Sequence, residues 1–198
     1  FSMVIGLDSS FDAALFIGYH AAAGTMHGFL DHTYSGRVFH EVVVNGVRAS
    51  EYLVNAIYAG DKGVPVTMVA GDEYLREEAH THTPWAVFVP LKRGISRYAA
   101  EYESFEEVLE KLRKGVEVML TRIKRGEVKP LVMEKPYRVV VRVRDPLIAD
   151  VLECVPGLKR VDAYSYEFTA SSGEELLGRI EEIAIIGYGV ESLKNSIR

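Results

Sequence analysis

The stretch "SEYLVNAIYAGDKGVPVTMVAGD", residues 50–72, decides the fold. Leu53 and Ile57 fall at a helical interval behind Ser50, whose hydroxyl suits a helix N-cap, and Gly60 is expected near the helix stop. "VPVTMVAGD" then turns into a β-branched run with a wholly apolar centre, the pattern of a strand covered on both faces. Upstream, "DAALFIGYH" reads as a short buried strand ending near His20. "RVFHEVVVNGVRAS" reads as a hairpin turning at Asn45-Gly46. Downstream come a short helix in "EYLREEAH", a strand in "AVFVPLK", and a long helix in "SFEEVLEKLRKGVEVMLTRIKRG". That last segment opens on Ser and acidic residues and closes on basic residues and Gly, as the helix dipole favours. Strand and helix therefore alternate over residues 11–128, which predicts an α/β fold with a mainly parallel or mixed sheet flanked by helices.

After "KPLVMEKP" the grammar changes. "YRVVVRVRD" alternates like a half-buried strand, "PLIADVLECV" is a helix opened by Pro, "KRVDAYSYEFTA" is a strand pair and "SSGEELLGRIEEIAII" a final helix. The sequence thus divides into an α/β metal-site domain over residues 1–133 and a smaller C-terminal α+β subdomain over residues 134–198.

Composition narrows the function. The 198 residues are 48% hydrophobic and 26% charged, as in ordinary globular chains. A net charge of -5 leaves no basic excess to neutralise phosphates, so a nucleic-acid partner is not expected, and "RIKRGEVK" reads as a solvated loop. The single cysteine, Cys154, excludes an intrachain disulfide and fits a reducing compartment; in "LIADVLECVPG" it is expected on the buried face of a short helix. No run of about 18 apolar residues appears, so no membrane span is expected. No signal peptide is visible either, and a cytoplasmic location is the expectation. The chain opens on Phe rather than Met and runs straight into a strand, which suggests a piece of the domain ahead of it.

Chemistry concentrates in "GYHAAAGTMHGFLDHTYSG", residues 18–36, which holds three of the six histidines. In open α/β sheets functional groups gather beyond the carboxyl ends of strands, where His20 falls. His32 follows twelve residues later, and Glu51 opens the next helix. Imidazole and carboxylate together suit zinc or a similar divalent ion, although a merely polar, His-rich loop has the same composition. His27 is expected at an exposed loop tip, His40 within an alternating strand, and His80 and His82 as solvated residues of a surface helix. Asp72 either reaches the site or caps the next helix, and Arg97 either binds a carboxylate or forms a structural ion pair. No glycine-rich phosphate loop and no serine nucleophile elbow is present.

Taken in order, "FSMVIGLD", "ALFIGYHA", "LDHTYS", "VNG...SE...NA..AG", "GVPVTMVAGD", "GISRYAA" and "KPLVMEKPYRVVVRV" resemble the zinc-dependent D-aminopeptidases of the DppA type, over essentially the whole chain. The resemblance implies that His20 and Glu51 are zinc ligands and that His32 is the catalytic histidine beside the metal. It implies hydrolysis of short peptides bearing an N-terminal D-residue such as D-Ala, at two zinc ions about 3.5–4 Å apart. It also implies ring-like homo-oligomers, a decamer among them. The family's acidic D-x-E-G motif and a further histidine lie on segments that would precede Phe1, and Asp8 in "IGLD" does not replace them. The competing expectation is a non-catalytic oligomeric binding or assembly module, left by loss of those N-terminal ligands.

Overall fold

The computed structural model describes residues 3–196; Phe1 and Ser2 of the "FSMVIGLD" stretch lie outside them. The elements run β1 (Ala14–Tyr19), β2 (Phe39–Val44), β3 (Val47–Arg48), α1 (Glu51–Asp61), β4 (Val66–Asp72), a 3-10 turn (Glu73–Leu75) and α2 (Arg76–His82). They continue through β5 (Val87–Ser96), β6 (Ala99–Glu101), α3 (Phe105–Lys124), β7 (Tyr137–Val143), α4 (Pro146–Leu152), β8 (Lys159–Arg160), β9 (Ser165–Ala170) and α5 (Gly173–Ser196).

Helix α1 is the hub. The Ser50 hydroxyl accepts the Leu53 N–H, one of the amides that a helix start leaves without a partner. All residues from Glu51 to Ala59 are buried, so α1 is covered all round. Gly60 falls near the helix stop, as expected: the helix ends at Asp61 with Lys62 as its cap. A methyl group at Gly60 would lie 2.0 Å from the Leu131 carbonyl oxygen, so this glycine also admits a crossing chain.

Two sheets flank this helix. The first is mixed, in the order β1-β4-β5-β6, with β1, β4 and β5 parallel and β6 returning antiparallel on β5. Every residue of β4 is buried, as its uninterrupted apolar centre requires. Met68 and Ala70 face Val89 and Met119 on the α3 side, whereas Val66 and Val69 join the larger core around α1. Helix α3 starts on a capping box in which Ser104 and Glu107 satisfy each other's backbone amides.

The second sheet is antiparallel, in the order β3-β2-β7-β9-β8. Asn45 and Gly46 both have positive φ, 51° and 80°, the backbone of the tight turn that joins β2 to β3. Because β2 pairs with β7, this sheet draws strands from both sides of residue 133, and one continuous core spans α1, both sheets and α5. Asp61 ties the pieces together, accepting the Tyr137 hydroxyl at 2.8 Å, the Gly173 N–H at 2.6 Å and the Lys135 ammonium at 2.8 Å.

Two local expectations need correction. The fifth strand extends past "AVFVPLK" to Ser96 and turns into β6. Cys154 is exposed, because α4 ends at Leu152 and the chain turns outward before the cysteine. No helix among the described residues is long and apolar enough to cross a membrane.

Candidate metal centre

His20 follows directly on the last residue of β1, at the carboxyl end of the parallel strands. Glu51 is the first residue of α1, where the positive end of the helix dipole favours a carboxylate. The chain between them loops back so that His32 stacks on His20, with ring centroids 3.8 Å apart and planes 15° off parallel. The His20 and His32 Nε2 atoms lie 3.5 and 3.2 Å from the same Glu51 oxygen, Oε1. All three donor atoms fall within 4.8 Å of one another.

The hydrogen bonds at the far side of each ring decide what this arrangement can hold. His20 Nδ1 lies 3.2 Å from the Ala21 carbonyl oxygen and His32 Nδ1 lies 2.6 Å from that of Leu30. A carbonyl only accepts, so each Nδ1 carries the hydrogen and each neutral ring turns the Nε2 lone pair toward Glu51. Two lone pairs and a carboxylate aimed at one another repel unless a cation sits among them. Ligands on a tetrahedral zinc with bonds near 2.0–2.1 Å are about 3.3 Å apart. The two His–Glu distances bracket that value, and the Nδ1 bonds to carbonyls are the support that metal-bound histidines ordinarily have. The donor set fits zinc.

Without a cation the three groups share protons unequally. Burial opposes a charge on His20, but the hydrogen bond and charge of Glu51 outweigh it and raise the ring's pKa. Burial, reinforced by the charge of His20, lowers that of His32. Glu51 is also buried, yet its bond to His20 and the charges of both rings keep its carboxyl below the usual range.

A buried frame holds the loop. Asp31 accepts the Gly24 N–H and the Arg97 guanidinium, each at 2.6 Å. Asp72, which is fully buried, accepts the N–H groups of Phe29 at 2.8 Å, Tyr74 at 3.2 Å and Gly94 at 3.3 Å. Leu30 donates its N–H to the Arg97 carbonyl at 2.9 Å. Its φ of 50°, unusual for a leucine, turns its own carbonyl toward His32. Beneath Glu51, the Tyr34 N–H donates to Oε1 at 2.7 Å. The Tyr34 hydroxyl donates to Asn55 at 2.6 Å, and the Asn55 amide donates to the Tyr19 hydroxyl at 2.9 Å. Burial pushes the Tyr19 phenol up to about 12 and raises that of Tyr34 as well, so both phenols stay neutral.

Of the sequence candidates, the fold brings His20, His32 and Glu51 together and leaves the others outside. His27 is exposed, with Nδ1 against the Ile95 carbonyl, and His40 is exposed on β2. His80 and His82 close the surface helix α2. Asp72 does cap the next turn and Arg97 does form an ion pair, and both act to hold the His32 loop. Asp31, Tyr34 and Asn55 escaped sequence reading. Asp31 stands beside His32, and Asn55 lies four residues after Glu51 on the same helix face, but neither spacing reveals a partner.

The fold and site define an α/β protein with a candidate divalent-metal centre at the carboxyl end of its parallel strands. The peptidase M55 family model, described as D-aminopeptidase, matches residues 1–181, and the chain belongs to that family. A D-aminopeptidase of Bacillus subtilis (strain 168) is 43% identical over 101 residues. That alignment covers 51% of this chain and 36% of the relative, so the matched segment spans about a third of the relative's length. A solved structure of the Zn-dependent D-aminopeptidase DppA from Bacillus subtilis, described as a self-compartmentalizing protease, superposes with a TM-score of 0.87 at 28% identity. It covers 95% of this chain and 68% of that one.

Proposed function

We propose that the chain forms the metal centre of a zinc-dependent aminopeptidase that cleaves short peptides with an N-terminal D-residue such as D-Ala. The observation that carries this reading is the convergence of two imidazole lone pairs on one buried carboxylate, both rings locked through Nδ1. Zinc, when bound, supplies a Lewis acid that polarises a carbonyl and acidifies water. His20 and Glu51 hold the ion through Nε2 and the carboxylate. His32, fixed by the Leu30 carbonyl and half open to solvent, takes the proton of the attacking water on Nε2 and steadies charge developing beside it. His20 and Glu51 supply two ligands to one ion, and completing its shell, or holding a second ion, needs further donors.

The same reading extends to a ring-like homo-oligomer, supported by the self-compartmentalizing description of the DppA structure. It also includes a cytoplasmic location, supported by a single cysteine with no disulfide partner. The direct test is hydrolysis of D-alanyl-D-alanine and L-alanyl-L-alanine by the zinc-loaded protein. Cleavage of the D-peptide alone is expected; equal cleavage of both, or of neither, refutes the assignment.

A further inference from the structure

Lys92 lies near the carboxyl end of β5. Tyr19 pairs with Gly71 and Asp72 with Lys92, so His20 and Lys92 stand at one level, two strands apart. Two strand spacings place their backbones about 10 Å apart. The carboxylate between them, Asp72, is occupied by three backbone N–H groups and makes no ion pair with the ammonium among the described residues. Instead the Lys92 Nζ lies 5.7 Å from the ring centroid of Phe29, a residue of the same loop that carries His32. The ammonium opens on a cavity of about 610 Å³ flanked by Tyr74 and Tyr102. Of the carboxylates on that wall, Glu73 is paired with Arg76 and Glu103 with Lys111, leaving Glu101. A half-buried lysine with no ion-pair partner among the described residues is an unfilled recognition element, and burial lowers its pKa against the opposing charge of Asp72. An incoming anion reverses that cost.

We propose that Lys92 binds the C-terminal carboxylate of the peptide whose N-terminal end lies at His20, His32 and Glu51, and so restricts the enzyme to short substrates. This rests on the peptidase reading above. A peptide of two or three residues, at about 3.5 Å each, spans the interval between the two sites. A longer chain carries its carboxylate past the ammonium, and an amide presents no charge to it.

The test compares D-alanyl-D-alanine with its C-terminal amide on the zinc-loaded protein and on Lys92→Met and Lys92→Arg, with zinc content and melting temperature as controls. The wild type should prefer the acid. Lys92→Met should raise KM for the acid about tenfold or more, the size of a lost charged hydrogen bond, and leave the amide unchanged. Lys92→Arg should keep the preference. Equal effects of Lys92→Met on acid and amide, or no preference in the wild type, overturn the assignment and leave the peptidase reading intact. A wild type that cleaves neither compound overturns the peptidase reading and the role of Lys92 with it.

Discussion

Gly94→Ala tests how far the candidate site depends on the strand behind it. A methyl group at Gly94 would lie 2.1 Å from the His27 carbonyl oxygen and 2.6 Å from the Phe29 nitrogen, both backbone atoms that cannot rotate away. Ordinary contact begins near 3.4 Å, so the loop must retreat by about 1.3 Å. That retreat stretches the Phe29 N–H bond to Asp72 and the Leu30 N–H bond to Arg97, now 2.8 and 2.9 Å. Two weakened hydrogen bonds plus overpacking amount to about 2–4 kcal/mol of stability. Leu30 also sets the His32 ring, and a catalytic group misplaced by about 1 Å can lose about a hundredfold in rate. Urea unfolding should therefore show the loss of stability, and turnover of D-alanyl-D-alanine should fall at least tenfold. A variant with wild-type stability and turnover would refute the claim that β5 positions the His32 loop.

Three further perturbations probe other parts of the structure. Asp61→Asn should cost about 1–3 kcal/mol; the variant should also flatten stability against pH on the acid side. Burial pushes the Asp61 carboxyl up, but bonds from Lys135, Gly173 and Tyr137 more than reverse this and leave its pKa lowered. A lowered folded pKa gives stability that is full above the unfolded value near 3.8 and lost as pH falls through the folded one. Identical acid unfolding of wild type and variant would contradict this. Tyr34→Phe strands the buried Asn55 carbonyl and should cost about 1–3 kcal/mol, read by thermal unfolding; no change in melting temperature counts against the buried chain under Glu51. His32→Ala should lower turnover of D-alanyl-D-alanine by about a hundredfold or more, with zinc content changing far less; loss of zinc at unchanged residual turnover would recast His32 as a ligand only.

Much of the fold was legible because period and punctuation agree locally. The apolar run of β4, the Asn45-Gly46 turn, the Ser50 cap and the Ser104 capping box each state a local preference that the packed structure keeps. What failed depended on neighbours distant in sequence. The segment "AAE" in β6 has no β-branched residue to announce a strand. Cys154 reads as buried only if α4 continues past Leu152. Pairing of β2 with β7 is a non-local event that no periodicity encodes. At the site, residue type and strand-end position single out His20, His32 and Glu51, but the stack and the shared oxygen emerge only from the loop. Lys92 gave no sequence signal, since a lysine near the end of a strand is unremarkable until its missing partner is seen.

That His20 and Glu51 hold zinc beside His32 is tested most directly by elemental analysis of gel-filtered protein, wild type beside Glu51→Gln. Glutamine keeps the shape and removes the negative charge that would hold a cation beside the two imidazole lone pairs. At least one zinc per chain in the wild type, largely lost from the variant after dialysis, is the expected result. A wild type without zinc, or equal zinc in both proteins, would contradict it.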